Sequence, residues 1–467
     1  MARKNKRQNE DRDMARKFEE GVKSGSPIFL DVHVYEIIIH YYIEQSKLRK
    51  AHKACEVAME QHPFSTEMML LRAQVLSQMG QYDQAIEWLE KAELYQPNDT
   101  DAKLLRANIM AQQEDFEGAI QHLEEILPIS EEPDEVHFHL GLVYQDWGKF
   151  EQSIEHFKET IRLNPNHEEA VFEISYSLEA TGKLEESISY YQVLIDANPY
   201  SHLAWFCLGV GYFKLGKLEE AIQAYEYVIA IDEQYSSAYY NIGECYIYQD
   251  LYDKALQFFE QTIALDDKGA DVCYNIAFCH ERLGNYIKAI EFYKKASKQD
   301  PFFHEAFFGI GKCLEAQDKS YESIHFFKRA VKLDQANSDY WLAIANAEYK
   351  IGNVISSLEA FEEACVLEPN NADVWKNWSF VHYEMGDTEK AINLVMTGIE
   401  EMPANAELYY RAVAYLITAG QYKEAFIYLE NALTLDFDKH TVLFEFFPKL
   451  ETQKALYQII DKYRNQQ

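Results

Sequence analysis

One period constrains this chain more than any other feature. Counted from residue 32 in steps of 34, twelve consecutive frames reach residue 439 with no insertion or deletion. The twentieth position of every frame is small: Ala51, Ala85, Ala119, Ser153, Ser187, Ala221, Ala255, Ala289, Ser323, Ser357, Ala391 and Ala425. The eighth position is Gly, Ala or Ser in ten frames, including Gly141, Gly209, Gly243 and Gly311. Strict self-similarity of this kind marks units that cannot bury their apolar face alone and must stack on their neighbours.

The offsets specify the unit. Positions 4, 7, 8 and 11 share one face of a helix, and positions 20, 24 and 27 share one face of a second. Small residues at 8 and 20 allow the two helices to approach closely, and aromatics beside them fill the space; Tyr225, Phe259, Tyr293, Phe327 and Phe361 hold position 24 in five successive frames. Glycine at position 15, as at Gly80 and Gly216, suits a left-handed residue ending the first helix. Proline at position 32, as at Pro63 and Pro369, stops the second, and residues such as Asn371 can cap the next. Some frames depart: Arg72 and Arg106 occupy the apolar seventh position, Glu348 the eleventh, and Glu233, Asp267 and Gln335 replace the proline.

The stretch AWFCLGVGYFKLGKLEEAIQAYEYVIAIDE, beginning at Ala204, matches the pattern of an aromatic, Leu-Gly, Tyr, Ala, aromatic, Ala almost fully. On these residues the chain resembles the tetratricopeptide-repeat proteins, over roughly nine-tenths of its length. The resemblance implies an all-α, right-handed superhelical solenoid of about twelve helix-turn-helix repeats, each first helix facing an inner groove. The expected organisation is a basic N-terminal arm and short helix over 1–31, twelve tandem repeats over 32–439, and C-terminal capping helices over 440–467. Residues 10–23 can bury Met14, Phe18 and Val22 before the breaker SGSP at 24–27. At the other end Leu443, Phe446 and Phe447 begin a thirteenth first helix that Pro448 cuts short, and Leu456, Ile459, Ile460 and Tyr463 form one face of a last helix.

Charge and chemistry narrow the function. A formal charge of −33 argues against nucleic-acid partners. The basic ARKNKR is read as a solvated terminus, since acidic residues resume at Glu10. Seven cysteines without paired spacing suit a reducing, cytoplasmic setting, and the polar N-terminus and absence of a long apolar run predict neither an apolar leader nor a membrane span. No phosphate loop, dinucleotide fingerprint, HExxH, GxSxG or paired CxxC is found, so no enzyme activity, cofactor or metal is expected. His137 and His139 are two residues apart on a helix and make poor joint ligands; Cys245, Cys279 and Cys313 share position 10 and read as packing residues.

Position 5 is aromatic from the fourth frame to the ninth: Phe138, Phe172, Phe206, Tyr240, Tyr274 and Phe308. By the family's geometry this position lines the concave surface, where Tyr176, Phe213, Tyr248 and Phe278 join it and Asn241 and Asn275 could hold a peptide backbone. Aromatics at this spacing often serve a core, but positions 4, 7, 11 and 24 already supply one. Acidic residues recur at position 2; Glu135, Glu169, Asp271 and Glu305 would rim the groove, although carboxylates there also suit a helix N-terminus. The family's clamp for acidic chaperone tails needs lysine at position 5 and asparagine at 9; the lone lysine, Lys376, is followed by Phe380, so that ligand is not expected. The expected role is a scaffold or adaptor binding an extended or helical protein segment with apolar, aromatic and basic residues. The alternative is a structural assembly subunit packing on partners or on itself through its convex face or ends.

Overall fold

The computed structural model describes residues 2–23, 29–265, 269–448 and 453–464. The described residues form helices and turns, with no strand. Frame after frame, the first helix fills positions 1–13 and the second positions 17–30: Thr66–Gln78 with Tyr82–Tyr95, His202–Lys214 with Leu218–Ile231, Ala406–Thr418 with Tyr422–Leu435. Residue contacts divide the chain into two compact units, Met1–Cys245 and Tyr246–Gln467, the division falling inside the helix Ser236–Tyr248.

The small residues do what their spacing requires. Every position-20 residue is buried. A methyl group on Gly141 would lie 2.5 Å from the Phe157 ring, and one on Gly209 would lie 2.6 Å from the Tyr225 ring. Position 8 therefore presses the first helix onto the position-24 ring of its own frame. These rings extend beyond the five expected from the sequence: Phe157, Tyr191 and Tyr225 in the first unit and Phe259, Tyr293, Phe327 and Phe361 in the second are fully buried. Burying a ring of this size contributes roughly 2–3 kcal/mol.

The turn residue at position 15 is left-handed in all twelve frames. The eight glycines there have φ between 69° and 85°, and Ser46, Glu114, Asp250 and Asp318 take 53–63° without being glycine. Proline proves dispensable at position 32: helices end at Ile231 and Leu333, ahead of Glu233 and Gln335, just as they do ahead of proline (Asp267 lies outside the described residues). The next helix supplies its own start signal, with Ser65, Ser201, Asn371 and Asn405 accepting backbone N–H groups.

The departures are accommodated singly. The Arg72 guanidinium lies 4.3 Å from the Trp88 ring centre, and Arg106 holds Glu93 through two hydrogen bonds of 3.1 and 2.9 Å. Glu348 is buried yet charged: burial opposes its ionisation, but hydrogen bonds from Lys328 and Asn353 outweigh it and its pKa is lowered. All seven cysteines are buried, and burial pushes the thiols of Cys245, Cys279 and Cys313 up to about 12.

At the N-terminal end the helix Ala2–Lys23 is longer than the expected 10–23. It buries Phe18 edge-on to Tyr35, while Tyr42 donates to Glu19 and to the Ala15 carbonyl; Met14 and Val22 pack alongside. The SGSP segment lies outside the described residues. At the other end the expected thirteenth first helix is reduced to a 3₁₀ turn, Asp438–Val442, and one α-turn, Leu443–Phe446. Leu443 and the helix Lys454–Arg464, through Leu456 and Ile460, are buried with Leu429 and Leu433.

Candidate functional site

The predicted aromatic floor falls in both units, and most of it is packed. Phe138 is a core residue, only 6% exposed, which corrects its assignment to the groove. The reason recurs along the chain: the position-5 ring leans on the position-24 ring of its own frame. Centroid separations are 5.7 Å for Phe138–Phe157, 5.6 Å for Phe206–Tyr225, 5.4 Å for Tyr274–Tyr293 and 5.6 Å for Phe308–Phe327. A second ring closes the other side: the last residue of the same frame in three cases, His167 on Phe138, Tyr235 on Phe206 and Phe303 on Tyr274, and Tyr340 of the next frame on Phe308. Position 5 thus packs between the second helix and the last residue of its own repeat, and the core is incomplete without it.

Other predicted residues are distributed unevenly. In the first unit Phe172 and Tyr176 are 39% and 57% exposed, Phe213 and Tyr240 are half-buried, and Asn241 hydrogen-bonds the Tyr225 side chain. In the second unit Tyr248 is exposed, Asn275 is half-buried, and Phe278 lies edge-on to Tyr252. Among the acidic residues Glu169 and Asp271 are exposed, Glu135 lies 3.4 Å from His167, and Glu305 lies 3.3 Å from His304.

A cavity of about 710 Å³ lies elsewhere, along the first four frames of the first unit. Its lining repeats by position: Glu67, Asp101 and Glu135 at position 2; Glu36, Leu70 and Leu104 at 5; Leu71, Leu105 and His139 at 6; His40, Gln74 and Asn108 at 9. These are first-helix residues, and the first helices touch directly. Ser77 Oγ donates to Gln112 Oε1 at 2.6 Å, and His139 Nδ1 lies 3.0 Å from Asn108 Oδ1. Glu132 and Asp134 complete six carboxylates over a leucine floor, with neither lysine nor arginine in the lining. Among the described residues their partners are neutral or histidine: Ser65 donates to Glu67 at 2.7 Å and holds its carboxyl below the usual range, and Asn164 donates to Asp134 at 3.0 Å. Burial holds the His139 imidazole down to about 4.

In the second unit lysines on first helices reach carboxylates of neighbouring frames, at positions 12 and 15 as well as 2. Lys312 meets Glu281 at 2.7 Å, and Lys350 meets Asp318 at 2.8 Å and Glu315 at 3.7 Å. Lys376 sits between Asp373 and Glu407, at 2.8 and 2.5 Å, and Lys439 also reaches Glu407, at 3.0 Å. Burial works against the Lys376 charge, but the hydrogen bonds to both carboxylates prevail and its pKa is raised. The lysine that a chaperone clamp would need is therefore committed internally.

Sequence reasoning missed the acidic cavity because it weighed aromatic identity at position 5 over charge balance. The signal was available: the cations of the second unit stand 31 or 32 residues from their carboxylates, and frames one to four lack such partners in the lining.

Family models described as tetratricopeptide repeat match residues 42–109, 135–167, 236–268, 270–303, 304–337 and 406–439, and one described as TPR repeat matches 211–250, together more than half of the chain. Among solved structures the chain is similar to the APC/C hetero-tetramer Cut9-Hcn1, at 15% identity over 81% of this chain and 95% of that one, with a TM-score of 0.41. It is also similar to YrrB, described as a TPR protein with an unusual peptide-binding site, at 20% identity over 39% and 95% with a TM-score of 0.35. A third is MamA, at 26% identity over 36% and 98% with a TM-score of 0.34. No curated protein matches the chain. No described helix is long and apolar enough to cross a membrane. By its repeats and by its stacked helical pairs, the chain belongs to the tetratricopeptide repeat family.

Proposed function

We propose that the chain is a non-catalytic adaptor whose first four frames bind an extended, lysine- or arginine-rich segment of a partner protein. As a tetratricopeptide repeat protein it is a protein-interaction scaffold. The observation that carries the finer reading is the cavity of six carboxylates without a lining cation. Two carboxylates about 10 Å apart repel by ~0.4 kcal/mol even in water, a cost that a basic ligand converts into attraction. Extended backbone advances ~3.3 Å per residue and packed helix axes lie ~8–10 Å apart, so every third ligand residue meets a new frame. The leucine floor accepts the aliphatic stems of lysine or arginine. Phe172 and Tyr176, exposed on the fifth frame, offer contacts for an apolar or aromatic ligand residue.

The test is titration of a labelled peptide of about nine residues, with lysine at every third position, into the full chain at about 150 mM salt, where the Debye length is ~8 Å. Glu67→Gln/Asp101→Asn/Glu135→Gln is expected to lower affinity at least about tenfold. The charge-matched variant Glu359→Gln/Glu362→Gln/Glu363→Gln, on the second helix Val354–Leu367, is expected to leave it unchanged. Equal losses in both would reduce the effect to net charge and end the reading.

A further inference from the structure

The acidic cavity has a side branch, and the branch stands where the repeat is interrupted. In the third frame the second helix ends at Ile126 instead of running to position 30. Pro128, lacking an N–H and clashing with the preceding turn, forces a short 3₁₀ turn, Leu127–Ile129, and the next first helix begins one residue early at Pro133. A cleft of about 670 Å³ opens at this edge, and it shares Asp101 and Glu132 with the main cavity.

The walls of the cleft differ in chemistry. One is apolar: Ile126 is buried beneath, and Ile129 stands 67% exposed at the mouth. The other carries Asp99, Asp101, Glu131 and Glu132 against one cation, Lys103. Asp99 Oδ1 accepts the Asp101 N–H at 3.1 Å, which fixes that carboxylate at the helix start. Apolar surface beside several carboxylates matches a side chain with an aliphatic stem and a cationic head. A planar guanidinium can bond two carboxylates at once, which an ammonium does less well.

We propose that this cleft is an arginine pocket: it takes one arginine of the basic segment bound in the main cavity, with the stem on Ile129 and the guanidinium between Asp101 and Glu132. The proposal rests on the groove reading above and adds a specificity to it. The segment's lysine-compatible residues lie along frames one to four, and one arginine turns outward over the edge between frames three and four.

The experiment uses three peptides of the lysine-every-third-residue design that differ at one central position: arginine, citrulline (the same shape without charge) and lysine. With the wild-type full chain the arginine peptide is expected to bind about tenfold tighter than the citrulline peptide and several-fold tighter than the lysine peptide. Asp101→Asn/Glu132→Gln, which removes both guanidinium partners, is expected to weaken all three peptides through the lining shared with the main cavity and to reduce the arginine preference over citrulline to about twofold or less. Glu36→Gln, away from the cleft, should weaken all three alike. An arginine preference over citrulline that survives in Asp101→Asn/Glu132→Gln overturns the pocket. So does the absence of any preference in a wild-type chain that binds the citrulline peptide, and in that case the groove reading stands. Failure of all three peptides to bind overturns both.

Discussion

The first helices of frames one to four and those of frames eight to twelve both carry carboxylates, yet among the described residues only the second set pairs them with first-helix lysines. In the second unit Lys312, Lys350 and Lys376 each reach a carboxylate of an adjoining frame, so electrostatics there holds neighbouring repeats together. In the first unit Glu36, Glu67, Asp101 and Glu135 stand over Leu70 and Leu104 with no such counter-ion in the lining. The same repeat therefore yields one surface that is satisfied within the chain and one that is left to be satisfied from outside.

The largest expected effect separates the units by acid. Burial holds His139 and His156 neutral down to about 4, against 6.5 when unfolded. His139 faces Asn108 and His167; His156 faces His137, Tyr144 and Glu159. Their folded pKa values are depressed, so the unfolded chain binds more protons between these limits. Stability is full above about 6.5 and is lost as pH falls from there to about 4, by on the order of 3 kcal/mol for each histidine. Hydrogen exchange of the full chain at pH 7 and pH 5 should show frames three to five losing protection first. Uniform loss along the chain would break the distinction.

Next in size is Lys376→Met. This lysine, 17% exposed at its side chain, would leave Glu407 partly buried with only Lys439, and urea unfolding is expected to report a loss of about 2–3 kcal/mol. Glu135→Gln in the acidic cavity should have the opposite sign, since it removes repulsion. A loss of under ~0.5 kcal/mol for Lys376→Met would mean that these pairs behave as exposed ones.

Grafting one unit's solution onto the other sharpens the comparison further. Gln74 lines the acidic cavity at position 9, the position Lys312 holds in the ninth frame. Gln74→Lys is expected to weaken the lysine-rich peptide about tenfold, or ~1.4 kcal/mol, in a calorimetric titration. Lys312→Gln/Lys350→Gln should do the reverse and create measurable affinity in a chain whose first-unit carboxylates have been neutralised. If neither variant changes binding, the missing cation is not what distinguishes the surfaces.

The sequence carried the fold almost to the residue because repetition averages out local accident. A small residue at position 20 is one constraint met twelve times over, and a small residue at position 8 is met ten times. Legibility stopped at position 5. Phe138 and Phe206 have the letters of a binding floor, but whether a ring faces solvent depends on His167 or Tyr235 at position 34, where the residue type varies from frame to frame. The acidic cavity required an inference from missing partners. Six carboxylates look like ordinary helix-start acids until the cavity they line is seen to hold neither lysine nor arginine.

The smallest effect tests whether the internal cations reach even the turns. Glu114 and Asp318 both hold the left-handed position 15, at φ 63° and 58°, where a side chain costs about 1–2 kcal/mol and glycine costs none. Glu114→Gly should therefore stabilise by up to about 1 kcal/mol, the remainder being offset by the freer unfolded chain. Asp318→Gly should gain less for two reasons. Aspartate tolerates this conformation better than glutamate, and its carboxylate is held by Lys350, whose hydrogen bond lowers its pKa. Thermal melts of the two variants should thus rise unequally, Glu114→Gly the more. Replacing Lys350 by Gln in the Asp318→Gly background should then cost less than the same replacement in wild type, because the turn carboxylate it serves is gone and only Glu315 remains within reach.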